Sequence, residues 1–169
     1  MEEKLPPTFA ITLDRQGFRT WRLKARQVLP LSTEETFVFF RDPRNLGKLI
    51  PESLEFTLVT PPENLEVHEG AEFDYTIRWF GMRLKWRSRI IDYLPPRRFT
   101  DIQLVGPYSS WRHLHTFDEV PEGTLLGEEV IYKIPLEAVL LEPMIHRELR
   151  ELFGYRASRM AAWAEEASK

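Results

Sequence analysis

The sequence predicts one α+β domain: a seven-stranded antiparallel sheet closed by a long C-terminal helix, with two short helices after the first strand. Three observations carry this. Hydrophobicity repeats every second residue over most of Phe18 to Ile134, the turns between the repeats are too short for parallel crossovers, and the period becomes helical from about Glu137. A length of 169 residues suits a single core. With 43% hydrophobic and 12% aromatic residues, the chain is too apolar to be disordered.

The first strand begins at Phe18, with Trp21, Leu23, Ala25, Gln27 and Leu29 on one face and Arg22, Lys24 and Arg26 on the other. Residues 1–17, with two adjacent prolines and no clear period, are expected to form an N-terminal extension to a domain spanning 18–169. Ser32-Thr-Glu-Glu35 is a capping box, in which the Ser32 hydroxyl and the Glu35 carboxylate each satisfy the other residue's free backbone amide. It predicts a short helix bearing Phe37 and Phe40. Asp42-Pro43 starts a second, since Asp accepts from free amides and Pro suits a first turn; Pro51 ends it.

In the next strands Phe73, Tyr75, Ile77 and Trp79 share a face, as do Leu84, Trp86, Ser88 and Ile90 after a turn at Gly81. The C-terminal helix, expected from about Glu137 to Glu166, carries Leu141, Ile145, Leu149, Leu152, Arg156, Met160 and Trp163 as one stripe. Pro143 can only open its main body or kink it.

This order of elements, together with Gly106-Pro-Tyr-Ser-Ser-Trp-Arg-His-Leu-His-Thr-Phe117, Phe99-Thr-Asp-Ile-Gln103 and Leu152-Phe-Gly-Tyr-Arg156, resembles the START-like superfamily, also called SRPBCC or polyketide-cyclase-like proteins. Within it the block looks like a bacterial branch described only as ligand-binding. The resemblance, over about Phe18 to Trp163, implies a helix-grip fold, in which a curved sheet wraps the long helix around a cavity. It implies binding of a small, largely hydrophobic molecule such as a lipid, quinone or polyketide-like compound, by a carrier or a sensor. It supplies no reaction, because the superfamily mixes cyclases, hydrolases, lipid carriers and plain binding proteins. The glycine-rich loop of plant members is absent, since Thr60 to Gly70 holds a single glycine.

Strand parity places Trp111, His113, His115 and Phe117 on one face, Phe99, Asp101 and Gln103 on another, and Leu126, Glu128, Val130 and Tyr132 on a third. Three neighbouring strands would aim Asp101, Gln103, His113, His115 and Glu128 into one cavity, with Arg156 arriving from the helix. The expected ligand-binding set is Phe73, Tyr75, Trp86, Asp101, Gln103, Trp111, His113, His115, Glu128, Tyr132, Phe153 and Arg156. An unpaired buried guanidinium is costly, so Arg156 is expected to reach Asp101, Glu128 or a ligand carboxylate.

Three readings of the polar cluster stay open. It is a self-satisfied hydrogen-bond network, a site that polarises a ligand carbonyl or hydroxyl as in a cyclase-like acid/base enzyme, or a metal site from the His-x-His pair plus Glu128. Arg156 argues against the last by charge, and no metal or cofactor is expected. The strand cations Arg22, Lys24, Arg26, Lys85, Arg87 and Arg89, with Arg97 and Arg98, suggest a basic outer face. A solvated sheet surface is the ordinary explanation, and a ribosome or nucleic-acid contact ranks third among functions. His68 and His146 are expected to be solvated.

Zero cysteines exclude disulfides, thiol nucleophiles and iron–sulfur clusters. No G-x-G or G-K-S/T loop and no G-x-S-x-G elbow occurs, which leaves ATP, NAD and esterase chemistry without support. No run is apolar enough to span a bilayer, and the start of the chain does not resemble a secretory signal, so a cytoplasmic location is expected.

Overall fold

A computed structural model describes Pro6 and residues 8–168 of the chain. Eight strands form one antiparallel sheet: β1 (Ala10–Gly17), β2 (Thr20–Leu29), β3 (Thr57–Leu58), β4 (Glu72–Trp79), β5 (Met82–Leu94), β6 (Arg98–Val105), β7 (Ser110–Val120) and β8 (Gly123–Lys133). Their spatial order is β1-β2-β8-β7-β6-β5-β4-β3, a meander whose last strand returns beside β2. The helices are α1 (Thr33–Phe40) and α2 (Glu142–Ala167).

The sheet has one strand more than expected, because Ala10–Gly17 of the stretch set aside as an extension pairs along β2. Residues 1–5 and 7 of that stretch lie outside the described residues. In β1 only Ile11 and Leu13 turn toward the core, too few to show a period; pairing with an already formed neighbour makes it a strand. The capping box forms as expected, with the Glu35 amide donating to Ser32 Oγ at 3.2 Å and the Ser32 amide to Glu35 Oε2 at 3.0 Å. Phe39 is buried beside Phe37, while Phe40 is only partly buried. The second short helix is 3-10 rather than α, over Pro43–Leu49, and Asp42 accepts from the Arg44 amide at 3.0 Å.

The C-terminal helix starts later than its apolar stripe suggests. Leu136–Leu141 is a 3-10 turn, and Pro143 sits in the first turn of α2, where its missing amide costs nothing. Leu141 is consequently exposed. Ile145, Leu149, Phe153, Arg156, Ala157, Met160 and Ala164 are buried against the sheet. Gln27 on β2 ties the helix down, its Nε2 donating to the Ala157 carbonyl at 3.0 Å.

Two apolar cores result. One gathers Leu29, Phe37, Phe39, Phe99, Phe117, Leu126, Met160 and Ala164. The other gathers Leu23, Trp86, Tyr108, Trp111, Val130, Tyr132, Ile145, Leu149 and Phe153. On each of three elements the polar residues fall between the two: His113 and His115 between Trp111 and Phe117 on β7, Glu128 between Leu126 and Val130 on β8, Arg156 between Phe153 and Met160 on α2. The polar cluster is the seam between the cores.

Candidate functional site

A cavity of about 210 Å³ lies between the inner face of the sheet, α2 and the segment from Asp42 to Leu54. Phe73, Tyr75, Ile77 and Trp79 of β4 and Trp86, Ser88 and Ile90 of β5 line one side, as their alternation predicts. Tyr75 and Trp86 are direct partners across the β4–β5 ladder, with rings stacked at 5.8 Å. Trp111 meets Trp86 edge to face at 5.4 Å, and Phe153 completes the wall from α2.

Register builds the polar end. Asp101 on β6 pairs with His113 on β7, and His115 pairs with Glu128 on β8. The two imidazoles overlap with centroids 3.9 Å apart and lie between the two carboxylates. His115 Nε2 is 3.1 Å from Asp101 Oδ2 and His113 Nδ1 is 3.6 Å from the same oxygen. On the far side, Glu128 Oε2 lies 3.0 Å from His113 Nε2 and 3.6 Å from His115 Nδ1. Arg156 Nη2 donates to Glu128 Oε2 at 2.6 Å, so the guanidinium is paired inside the protein.

Nine of the twelve expected site residues line the cavity: Phe73, Tyr75, Trp86, Asp101, Trp111, His113, His115, Phe153 and Arg156. Three do not. Gln103 turns away, its Nε2 donating to the Tyr108 carbonyl at 2.8 Å and its Oε1 accepting the Tyr108 amide at 3.3 Å. It sits near the end of β6, where the pairing with β5 passes over Leu104, so the strand bulges beside it and its amide serves the Gly106–Tyr108 loop instead. Glu128 stands behind the imidazoles and Tyr132 packs against Tyr108 and Trp111, because α2 covers β8 and closes that end of the sheet. Parity identifies the inward face of β8 but does not show what lies over it.

The segment from Asp42 to Leu54, where Pro43, Leu46, Leu49, Ile50 and Leu54 join the lining, carries no sequence signal that marks it as part of the site. No period marks these residues, and the Asp42-Pro43 start was their only local signal. Tyr108 was also missed as a wall residue, since it lies in the loop before β7 where strand parity does not apply. His68 is exposed as expected. His146 is half-buried against Trp21, ring centroids 4.3 Å apart, and burial lowers its pKa.

Burial shapes the protonation of the cluster. It pushes the His115 pKa down to about 4, helped by the adjacent imidazole and only partly offset by Asp101. Burial also opposes ionisation of Asp101 and Glu128, but the imidazoles beside Asp101 and the Arg156 guanidinium beside Glu128 outweigh it and hold both carboxyls below their ordinary values.

These shifts all act in one direction. An unfolded chain binds a proton on His115 near its ordinary 6.5, while the folded protein resists until about 4, so stability is full above 6.5 and falls as pH drops through that window. The carboxyls, depressed when folded, extend the loss further into acid. Thermal unfolding of the native protein is expected to shift to lower temperature from pH 7 to pH 4, and His115→Phe should flatten that part of the curve. Identical slopes for the two proteins would contradict this assignment.

Most cations of the outer sheet face are paired. Arg22 and Lys24 reach Glu129 at 3.9 and 3.2 Å, Arg87 reaches Asp74 at 2.8 Å, and Arg89 and Arg98 pair with Glu72 and Asp92. That pairing removes much of the field a phosphate backbone would follow. Among the described residues no helix is long and apolar enough to cross a membrane.

An antiparallel sheet gripping a long C-terminal helix around an aromatic cavity is a helix-grip fold. Solved structures agree. TTHA0849 from Thermus thermophilus superposes with a TM-score of 0.69 at 15% identity, covering 88% of this chain and 99% of that one. Ms6760 from Mycobacterium smegmatis gives 0.66 at 17% identity, over 91% and 96% of the two chains. The di-domain ARO/CYC StfQ from the steffimycin biosynthetic pathway gives 0.68 at 15% identity over 88% of this chain; the match spans about half of StfQ, 52% of its length. No family model and no curated protein matches the sequence.

Proposed function

We propose that the protein binds a small, largely hydrophobic molecule in the cavity between sheet and helix, as a carrier or sensor. The observation that carries this is the cavity itself, about 210 Å³ walled by Tyr75, Trp79, Trp86, Trp111 and Phe153, with Asp101, His113 and His115 at one end. A cavity of ~150 Å³ accommodates benzene, and drug-sized ligands take ~300 Å³ or more. The space here suits one or two rings with a single polar substituent. Stacking aromatics hold the rings, and the Asp101 side of the cluster meets the polar group.

Cyclase-like acid/base catalysis is the second reading, favoured by one observation: His115 at the cavity wall is oriented by the Asp101 carboxylate, 3.1 Å from its Nε2, as an acid/base imidazole requires. A fold neighbour, StfQ, is an ARO/CYC protein, which is compatible with it.

Native mass spectrometry of gently purified protein should show a co-purifying small molecule. With 1-naphthol as probe, quenching of the cavity tryptophans should saturate at one equivalent. The His113→Phe, His115→Phe double variant keeps both rings and removes the polar edge, so it should weaken 1-naphthol binding about tenfold or more while binding of naphthalene changes little. Absence of both a co-purifying compound and saturable 1-naphthol binding would sink the proposal.

A further inference from the structure

One close approach in the polar cluster is not a hydrogen bond. His113 Nδ1 and Asp101 Oδ2 are 3.6 Å apart, too far for a hydrogen bond, yet they converge with His115 Nε2, which lies 3.1 Å from the same oxygen. Among the described residues, Asp101, His113 and His115 are the only three acids and histidines whose donor atoms all lie within 4.8 Å of one another. Atoms that share an ion at ~2.0–2.2 Å sit roughly 3–3.6 Å apart in tetrahedral or octahedral arrangements, which is the spacing of both contacts to Asp101.

The surroundings fit the same reading. Each imidazole turns its other nitrogen toward Glu128 Oε2, at 3.0 Å from His113 Nε2 and 3.6 Å from His115 Nδ1. Both of those nitrogens are buried and have no well-aligned hydrogen-bond partner. A carboxylate behind ligating imidazoles is the usual outer partner that holds the N–H on the far side and leaves the near nitrogen as a lone pair. Three electron-pair donors would then face one point with no proton among them.

The charge objection raised by Arg156 is met by the structure. The guanidinium is bound to Glu128 at 2.6 Å, so those two charges cancel behind the histidines and Asp101 is left as the net charge facing the point of convergence. Asp101, His113 and His115 all border the cavity, which leaves room for a water or a ligand atom to complete the coordination.

We propose that His113 Nδ1, His115 Nε2 and an Asp101 carboxylate oxygen bind one divalent first-row transition ion at the inner wall of the cavity, with Glu128 and Arg156 as its outer support. Two imidazoles and one carboxylate suit zinc or ferrous iron rather than calcium or magnesium, which take oxygen ligands. In binding, His115 gives up its hydrogen bond to Asp101 and moves its proton to Nδ1, beside Glu128.

The test uses the full chain, stripped by chelator and titrated with Co²⁺, followed by visible ligand-field absorption, and with Zn²⁺ by calorimetry. One equivalent of each is expected to bind, Zn²⁺ displacing Co²⁺, with magnesium inert at the same concentration. Asp101→Asn and His115→Phe should each weaken Zn²⁺ binding at least about 100-fold, with circular dichroism confirming that they fold, whereas His68→Ala at the exposed histidine should bind unchanged. No Co²⁺ spectrum and no Zn²⁺ heat from the native chain would overturn the proposal, whatever the variants do. So would full binding by folded Asp101→Asn, or loss of binding in His68→Ala. The ligand reading fails separately, since a chain that takes up Zn²⁺ but not 1-naphthol would retain the ion site and lose the ring site.

Discussion

Replacing Arg156 with methionine is expected to lower the stability of the folded protein by about 3–5 kcal/mol, the usual cost of leaving a buried charge without its partner. Arg156 and Glu128 are 5% and 4% exposed, and their 2.6 Å contact is the one ion pair linking the middle of α2 to the centre of the sheet among the described residues. Methionine fills much of the same volume, so what changes is mainly the charge left on Glu128. At this chain length the thermal midpoint should fall by roughly 10 °C. Glu128→Gln in the same chain removes the stranded charge and should recover part of the loss, which a packing defect would not do. A midpoint unchanged by Arg156→Met would show that the pair does not hold the helix.

Gly123→Ala is expected to be comparably damaging, about 4 kcal/mol, for a reason that has nothing to do with charge. Gly123 opens β8 with φ +130°, a conformation that side-chain-bearing residues rarely adopt, and an added Cβ would run into the Leu29 carbonyl and press on the Leu31 backbone. Neither neighbour can move freely. Leu29 ends β2 in register with Thr124, and the Leu31 carbonyl accepts the buried Thr124 hydroxyl at 2.8 Å. The β7–β8 turn is therefore locked to the chain that leads into α1. Gly70→Ala supplies the comparison: its φ is +83° but no atom lies within 4 Å of the added carbon, so it should carry only the backbone strain. Denaturant unfolding of the two variants reads the difference, and equal losses would mean that the close approach to β2 contributes nothing.

Local chemistry was enough for most of the architecture. The strict alternation of β4, β5, β7 and β8, the Ser32–Glu35 capping box, the Phe80-Gly81 turn with φ of 47° and 76°, and the helical spacing of Ile145, Leu149, Met160 and their neighbours are short-range patterns. Because side chains alternate along a strand, the same patterns placed His113, His115 and Asp101 on the inner face before any fold was known, and the position of Arg156 within an apolar stripe announced a buried partner.

What remained depended on neighbours distant in the chain. Ala10–Gly17 is a strand because β2 offers it an unpaired edge. Gln103 left the site through a bulge at Leu104 of its own strand, Glu128 and Tyr132 were covered by the helix, and part of the cavity wall came from the aperiodic segment after Asp42. The sequence put the cluster's residues on the right faces. Tertiary structure decided which carboxylate took Arg156, and thereby left Asp101 and two imidazoles facing the cavity, since that choice rests on distances between β6, β7, β8 and α2 that no local period encodes.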